Sequence, residues 1–260
     1  MKRLIFILLF PYLTLLLIGC NDNPTESSTI ISKSIKKVLS SNEDFVKYYY
    51  RENLLTKKER FFLGELETSI TFTYDDKGKL IRQDEFSKAA GIPLSNYLTY
   101  EYSLNNLLFE TSVFLKKGDT YEFGGRTQFE YESNKLVKST FYDKNNELRQ
   151  YKILKYDGEN IIEEAQYDGN NILQYLQTFE YDDKLNPLTK DISFISAFTL
   201  SKNNITKWTN AYYTVSPANI NISTSSYTYN YFGYPIKCVT VYNNNGGSSK
   251  NTSTSYYEYY

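Results

Sequence analysis

One short pattern recurs along this chain: an aromatic residue, one intervening residue, a tyrosine, a polar turn and then two apolar residues. The clearest copies are Phe72–Ile81 and Phe129–Val137. Side chains at positions i and i+2 of a strand point to the same face, so the two rings of each copy share one side of a sheet. The intervening residue is charged in four copies, namely Glu101, Glu130, Glu180 and Glu258. This alternation is typical of an antiparallel strand with one wet face.

The copies follow one another at a nearly fixed spacing. Their tyrosines lie at positions 50, 74, 102, 131, 156 and 181, so neighbours are between 24 (74 − 50) and 29 (131 − 102) residues apart. Turn formers come after each pair, as in Asp75–Gly78, and Asp, Asn and Gly tolerate the positive φ angles of tight hairpins. A second polar turn begins half a period later, near Asp143 and again near Asp168. Each period therefore holds two strands, and the fixed period indicates a repeat architecture.

These hairpins predict an all-β fold, an antiparallel β-meander of on the order of 14 strands. Because an open sheet of more than about ten strands usually curls or closes, we expect a strongly curved sheet, either a half-barrel or a water-soluble closed barrel. A membrane-spanning barrel is disfavoured, since each charge on a lipid-facing surface costs about 2–4 kcal/mol at mid-bilayer. The pattern lapses twice: Lys88–Leu94 predicts a longer loop, and Asn186–Leu200 predicts an excursion that forms a short helix or a lid.

Composition removes several classes of function. The chain has 27 tyrosines, which favour strands with half-wet faces, and no histidine. Without histidine there is no His-based triad, no His-ligated zinc and no histidine pH switch. The net charge of −1 provides no basic excess for phosphate contacts, so no nucleic-acid partner is expected. Phosphate-loop and metal-ligand motifs are absent from the sequence, so neither a cofactor nor a metal is expected.

The first residues have the layout of a targeting segment. Met1–Gly19 has a basic start and a long apolar run, which predicts a signal peptide. Its end, Leu-Ile-Gly-Cys, resembles the bacterial lipobox, which implies diacylation of Cys20 and attachment to a membrane through that lipid. Asn21 follows, where enterobacterial lipoproteins retained in the inner membrane have Asp, so the resemblance favours the outer membrane. We expect a flexible tether over residues 20–40 and the repetitive β-domain over residues 41–260.

The order of several short motifs resembles a known family. They are Phe179–Asp183, Asn186-Pro187, Ser201–Asn204 and Tyr234-Pro235. Together they are similar to a Bacteroidota lipoprotein family of unknown function that is described as having a porin-like fold. The Tyr-Asp hairpins also look like the repeat of bacterial YD/RHS-type proteins. The resemblance implies a curved antiparallel sheet and no activity, and the sequence departs from the pattern at Phe123–Arg126.

Two kinds of residue are candidates for chemistry. Adjacent carboxylates recur at Asp75-Asp76, Glu163-Glu164 and Asp182-Asp183. A glycosidase needs two carboxyls about 5–10 Å apart across a cleft, whereas adjacent acids in a turn point apart and favour the turn itself. The aromatic residues are better binding candidates, because exposed rings stack on sugars and other flat ligands.

The preferred hypothesis is a non-enzymatic binding or interaction module of the cell envelope, working through an aromatic-rich sheet face. Its partner is a glycan, a small ligand or an envelope protein. The candidate binding residues are Phe194, Phe198 and Trp208, because they lie where the repeat lapses. The alternatives are a glycan hydrolase that uses carboxylates and a purely structural envelope protein. No catalytic residue is predicted.

Overall fold

The computed structural model describes residues 34–88, 94–193, 195–214, 219–244 and 249–260. The predicted signal peptide, the lipidation residue Cys20 and the candidate binding residue Phe194 lie outside these ranges. Within them, sixteen antiparallel strands close into a barrel, in which the first strand pairs with the last. The predicted all-β meander is confirmed, and of the two shapes expected for the sheet it takes the closed one.

Each strand pairs with its neighbours in the chain, and β1 closes the barrel against β16. Residues 35–39, placed by the sequence in the tether, form β1. The strands are β1 (Ile35–Leu39), β2 (Phe45–Arg51), β3 (Leu54–Phe62), β4 (Glu65–Tyr74), β5 (Leu80–Ser87), β6 (Leu94–Tyr102), β7 (Leu108–Lys117), β8 (Thr120–Glu132), β9 (Lys135–Asp143), β10 (Leu148–Asp157), β11 (Asn160–Asp168), β12 (Leu173–Leu185), β13 (Asn203–Tyr212), β14 (Asn219–Tyr229), β15 (Pro235–Asn244) and β16 (Ser249–Tyr259).

The repeated rings face the inside of the barrel. Phe72, Phe129 and Phe179, the first ring of three copies, are all buried, and they belong to the two hydrophobic clusters of the core. The charged residues between the rings, such as Glu130 and Glu180, have more than half of their side chains exposed. The predicted alternation of ring inward and charge outward is therefore confirmed.

The second ring of the pattern fastens neighbouring strands to each other. In several copies its hydroxyl donates to the backbone carbonyl of a residue at or near the start of the preceding strand. These bonds are Tyr74 to Leu55 (2.6 Å), Tyr102 to Leu80 (2.9 Å), Tyr181 to Ile161 (2.5 Å) and Tyr259 to Pro235 (2.7 Å). A buried hydroxyl needs such a partner, so this repeated tyrosine has a structural role at one end of the barrel.

The departure from the repeat at Phe123–Arg126 is a β-bulge. Val113 pairs with Gly125 and Phe114 pairs with Phe123, so Gly124 is the additional residue on β8. Gly125 has a φ of +148°, and a Cβ built there would lie 2.5 Å from the backbone oxygen of Tyr142. Only glycine fits this approach of two strands.

The segment Asn186–Ser201, here called the plug, lies inside the barrel. It contains a 3₁₀ helix, Pro187–Lys190, and one short α-helix, α1 (Ala197–Leu200). Leu188 and Ile192 pack against the core cluster of β1–β5, whereas Ala197 is buried in the cluster of β8–β13. These two clusters belong to different parts of the barrel wall. A segment of sixteen residues can contact both of them only if it lies inside the closed barrel.

Polar contacts hold the plug at both ends. The amide nitrogen of Asn186 donates to the backbone oxygens of Phe198 (2.7 Å) and Ser201 (3.0 Å), which ties the ends of the segment together. The Ser201 hydroxyl accepts from the backbone N–H of Ile161 at 3.0 Å. On the opposite side, the Asp191 carboxylate accepts from Lys58 at 2.7 Å. The plug is thus bonded to distant parts of the wall.

Ion pairs bridge adjacent strands on the outer face of the barrel. Lys207 pairs with Glu180 at 2.6 Å and Lys155 pairs with Glu163 at 2.7 Å, and each of these pairs bridges adjacent strands. In the part of the chain that the structure describes, no helix is long and apolar enough to cross a membrane.

Candidate functional site in the barrel lumen

The plug packs against the inner wall near the ring pairs and leaves space elsewhere inside the barrel. A barrel of this strand number has an interior wider than its own side chains fill. Beyond the plug, the inner face carries half-buried polar and aromatic side chains, among them Gln150, Gln177, Trp208 and Asn210. We call this space the lumen.

A cavity of about 340 Å³ lies between the plug and the wall formed by β6–β10. Ile192, Ser193 and Ile195 of the plug form one side of it. The facing wall contributes aromatic and polar side chains, including those of Tyr100, Phe129, Phe141, Ser139, Gln150 and Lys152. Pockets for small molecules start at about 300 Å³ and combine an apolar lining with a few polar groups, as this one does.

An ion pair borders this cavity. The Lys152 ammonium lies 2.6 Å from a Glu164 carboxylate oxygen, and the Glu164 side chain is only 3% exposed. Burial lowers the pKa of Lys152, but the attraction of Glu164 outweighs it and leaves that pKa above its ordinary value. The two side chains thus form a close ion pair within the wall. Beside them, the amide of Gln166 donates to Gln150 at 3.0 Å.

A second cavity, of about 560 Å³, lies against the inner face of β1–β5. Lys58, Arg60 and Glu85 line it. The two cations have carboxylate partners, since Lys58 pairs with Asp191 at 2.7 Å and Arg60 with Glu67 at 2.9 Å. The acids Asp44 and Glu85 also line this cavity.

Two of the three predicted binding residues are in contact. The rings of Phe198 and Trp208 are 5.6 Å apart and nearly perpendicular, and Phe198 makes a similar contact with Phe179 at 6.1 Å. Phe198 is therefore mainly a packing residue that holds the plug against β12 and β13. Trp208 also contacts Tyr242 at 6.0 Å, on the lumen side.

Sequence reasoning missed the residues of the 340 Å³ cavity. Gln150 and Lys152 share a strand face with Leu154, which replaces the first ring of one copy of the repeat. Extending the period-2 alternation away from each ring pair would have placed these side chains inside. Their contact with the plug, however, was not readable from the pattern.

The predicted carboxylate pairs do not converge. Glu163 pairs with Lys155 on the outer face, while Glu164 pairs with Lys152 on the inner face. Asp75 accepts from two backbone N–H groups of its own turn, at 2.9 and 2.8 Å. The turn interpretation is confirmed for Asp75. It is wrong for Glu163-Glu164 and Asp182-Asp183, which lie within strands β11 and β12.

Comparisons with known proteins give structural likenesses only. No family model matches the chain, and no curated protein matches it. It is similar to a porin-like protein from Bacteroides uniformis, with 13% identity, a TM-score of 0.43 and coverage of 87% of this chain and 98% of that one. A porin-like protein from Bacteroides vulgatus gives 10% identity, a TM-score of 0.45 and coverage of 87% and 99%.

A third likeness is weaker. A protein of unknown function from Bacteroides fragilis has 16% identity and a TM-score of 0.23, with coverage of 54% of this chain and 92% of that one. All three proteins are from Bacteroides species, and the first two are described as porin-like. The relation to YD/RHS-type repeats stays a prediction. Likenesses of this size say nothing about what the chain does.

Proposed function

We propose that this protein is a non-enzymatic binding module of the cell envelope that takes a small ligand into the barrel lumen, over the plug. The observation that carries the proposal is the 340 Å³ cavity, in which rings from the wall and polar groups such as Gln150 and Ser193 converge. The sequence analysis expects an aromatic-rich sheet face to bind the ligand. In this proposal that face is the inner face of the closed barrel. In this proposal the lipid on Cys20 attaches the barrel to the outer membrane.

The balance of charges favours binding without catalysis. Around the cavity, the acid Glu164 is held by Lys152 at 2.6 Å and by the Tyr175 hydroxyl at 3.4 Å. A general acid or base must lie within hydrogen-bond reach of the ligand, whereas both contacts are to the same Glu164 oxygen, Oε1, and that side chain is only 3% exposed. The ion pair serves as a fixed, neutral part of the wall.

A blocking substitution tests the proposal. Ser139 lines the cavity, and Ser139→Trp would fill much of it, whereas Lys138→Trp on the same strand points outward. We expect compounds from a metabolite library to raise the melting temperature of the wild-type protein and of Lys138→Trp, and not that of Ser139→Trp. If no compound stabilises the wild-type protein, or if Ser139→Trp responds as the wild-type protein does, the proposal is wrong.

A further inference from the structure

A row of amide side chains crosses the inner face of three neighbouring strands. Gln177 on β12 pairs with Asn210 on β13, and Asn210 pairs with Asn221 on β14. Gln177 and Asn210 lie two residues from Phe179 and Trp208, which contact the plug residue Phe198. Because alternate residues of a strand share a face, the amides point into the lumen. We call Gln177, Asn210 and Asn221 the amide row.

Aromatic rings flank the amide row on both sides along the strands. On the plug side are Trp208 and Tyr242, whose ring centroids are 6.0 Å apart. On the other side are Tyr175 and Tyr212, 6.3 Å apart. Tyr212 and Tyr242 remain 39% and 37% exposed, although both are on the inner face. The amide row thus lies between two pairs of aromatic rings, and one ring of each pair is partly exposed to water.

Gln177 and Asn210 still have hydrogen-bonding capacity. The Gln177 nitrogen donates to the Asn210 oxygen at 2.5 Å, which fixes their orientation. That contact leaves the Gln177 oxygen and the Asn210 nitrogen to face other partners, since each amide has an acceptor and two donors.

The chemistry of this wall selects one class of ligand. Amide groups act as both donors and acceptors, which matches hydroxyl groups, and ring faces match the C–H faces of pyranose rings. The amide row itself carries no charge, and the ion pair next to it, Lys152–Glu164, is neutralised internally. An anionic or cationic ligand would gain no counter-charge here.

From this wall we infer that the lumen binds a neutral oligosaccharide along the amide row, with its sugar rings on Trp208, Tyr242, Tyr175 and Tyr212. This inference rests on the proposed function, because it uses the same lumen. It adds the chemical class of the ligand and the wall of β12–β14, which lies outside the lining of the 340 Å³ cavity. The sugar hydroxyls bond to the Gln177 oxygen and to the Asn210 nitrogen.

Trp208 makes the inference directly measurable. It is the one tryptophan of the chain, so a change in tryptophan emission reports on this wall. The purified full chain is titrated with neutral hexasaccharides of α- and β-linked glucose and of N-acetylglucosamine, and with neutral peptides of the same length. We expect at least one hexasaccharide to change the emission in a saturable way and the peptides to have no effect.

A matched pair of double variants identifies the amide row. Gln177→Leu with Asn210→Leu removes two amides, whereas Thr178→Val with Thr209→Val changes the adjacent cross-strand pair on the outer face. Loss of two hydrogen bonds weakens binding roughly tenfold, and the threonine pair should bind as the wild-type protein does. Tyr242→Ala, which removes one ring and keeps both amides, gives a second test if the leucine variant does not fold.

The outcomes separate the two proposals. If library compounds bind the wild-type lumen and no hexasaccharide does, the ligand class is wrong and the proposed function stands. If no compound of either kind binds, both are wrong. If hexasaccharides bind equally well to the leucine pair and to Tyr242→Ala, the amide row is not their site and the inference is overturned.

Discussion

The contact between Asp191 and the barrel wall is the strongest test of how the plug is held. The Asp191 side chain is 3% exposed and accepts from Lys58 at 2.7 Å, from the Tyr48 hydroxyl at 3.3 Å and from the Ser193 hydroxyl at 2.5 Å. Burial, followed by the nearby Asp191 charge, raises the pKa of Tyr48 well above its ordinary value. We predict that Asp191→Asn, which keeps the shape and removes the charge, destabilises the barrel.

The size of the effect follows from the burial of both partners. Removing one member of a buried ion pair costs about 3–5 kcal/mol, because the other charge loses its compensation. The Lys58 side chain is 16% exposed, so water relieves part of that cost. The single asparagine oxygen, placed at the Oδ1 position, also still accepts from the Ser193 hydroxyl, whereas the bond from the Tyr48 hydroxyl to Oδ2 is lost. We therefore expect a loss of about 2–3 kcal/mol, a large share of the roughly 5–15 kcal/mol that stabilises a typical domain.

Equilibrium denaturation in urea measures this loss, and hydrogen exchange of residues 187–200 shows whether it is local to the plug. Adding Lys58→Met to Asp191→Asn removes the second charge, so the double variant should regain most of the lost stability. Asp183→Asn, in the exposed pair with Lys184, is the matched control and should have no measurable effect. A loss below about 1 kcal/mol for Asp191→Asn, or a double variant less stable than the single one, would refute the reasoning.

Three further predictions concern the barrel itself. Gly125→Ala should lower the free energy of unfolding by roughly 1–3 kcal/mol, because the added Cβ meets the neighbouring strand. Gly64→Ala is the control and should cost less, because its added Cβ meets nothing within 4 Å. Equal losses for the two variants would contradict this prediction. Burial is the main cause that raises the pKa of Tyr156 and Tyr181 to about 12. The folded state holds these two hydroxyl protons more tightly than the unfolded chain does. The contribution of the two tyrosines to folding stability is therefore complete below about pH 10 and is lost as pH rises through 12. Tyrosinate absorbance and circular dichroism should therefore change together above pH 10, and titration near pH 10 without unfolding would be the contrary result. A chain with Cys20→Ser that lacks the first 19 residues should stay in solution without detergent, because ionised groups cover the outer face; a need for detergent would contradict this.

The sequence alone determines the strands, the turns and which face of each strand holds the rings. These follow from interactions between residues close in the chain, such as the i, i+2 alternation of Phe129 and Tyr131 and the turn residues after them. The role of the repeated tyrosine could be predicted as structural, although its carbonyl partner in the preceding strand could not. The excursion after Asn186 was visible as a lapse in the pattern, and Phe198 and Trp208 could be singled out for that reason.

Closure, the position of the plug and the residues of the candidate site are decided only in three dimensions. The seam pairs Ile35 with Tyr259, residues at the two ends of the described chain, and their pairing depends on the summed twist and bulges of all the strands between them. Whether Asn186–Ser201 packs inside or outside depends on the width of the closed barrel, which no local pattern encodes. The amide row exists because the register aligns Gln177, Asn210 and Asn221 on three strands. Local alternation sets the face on which each of these side chains lies, and the long-range register sets their neighbours.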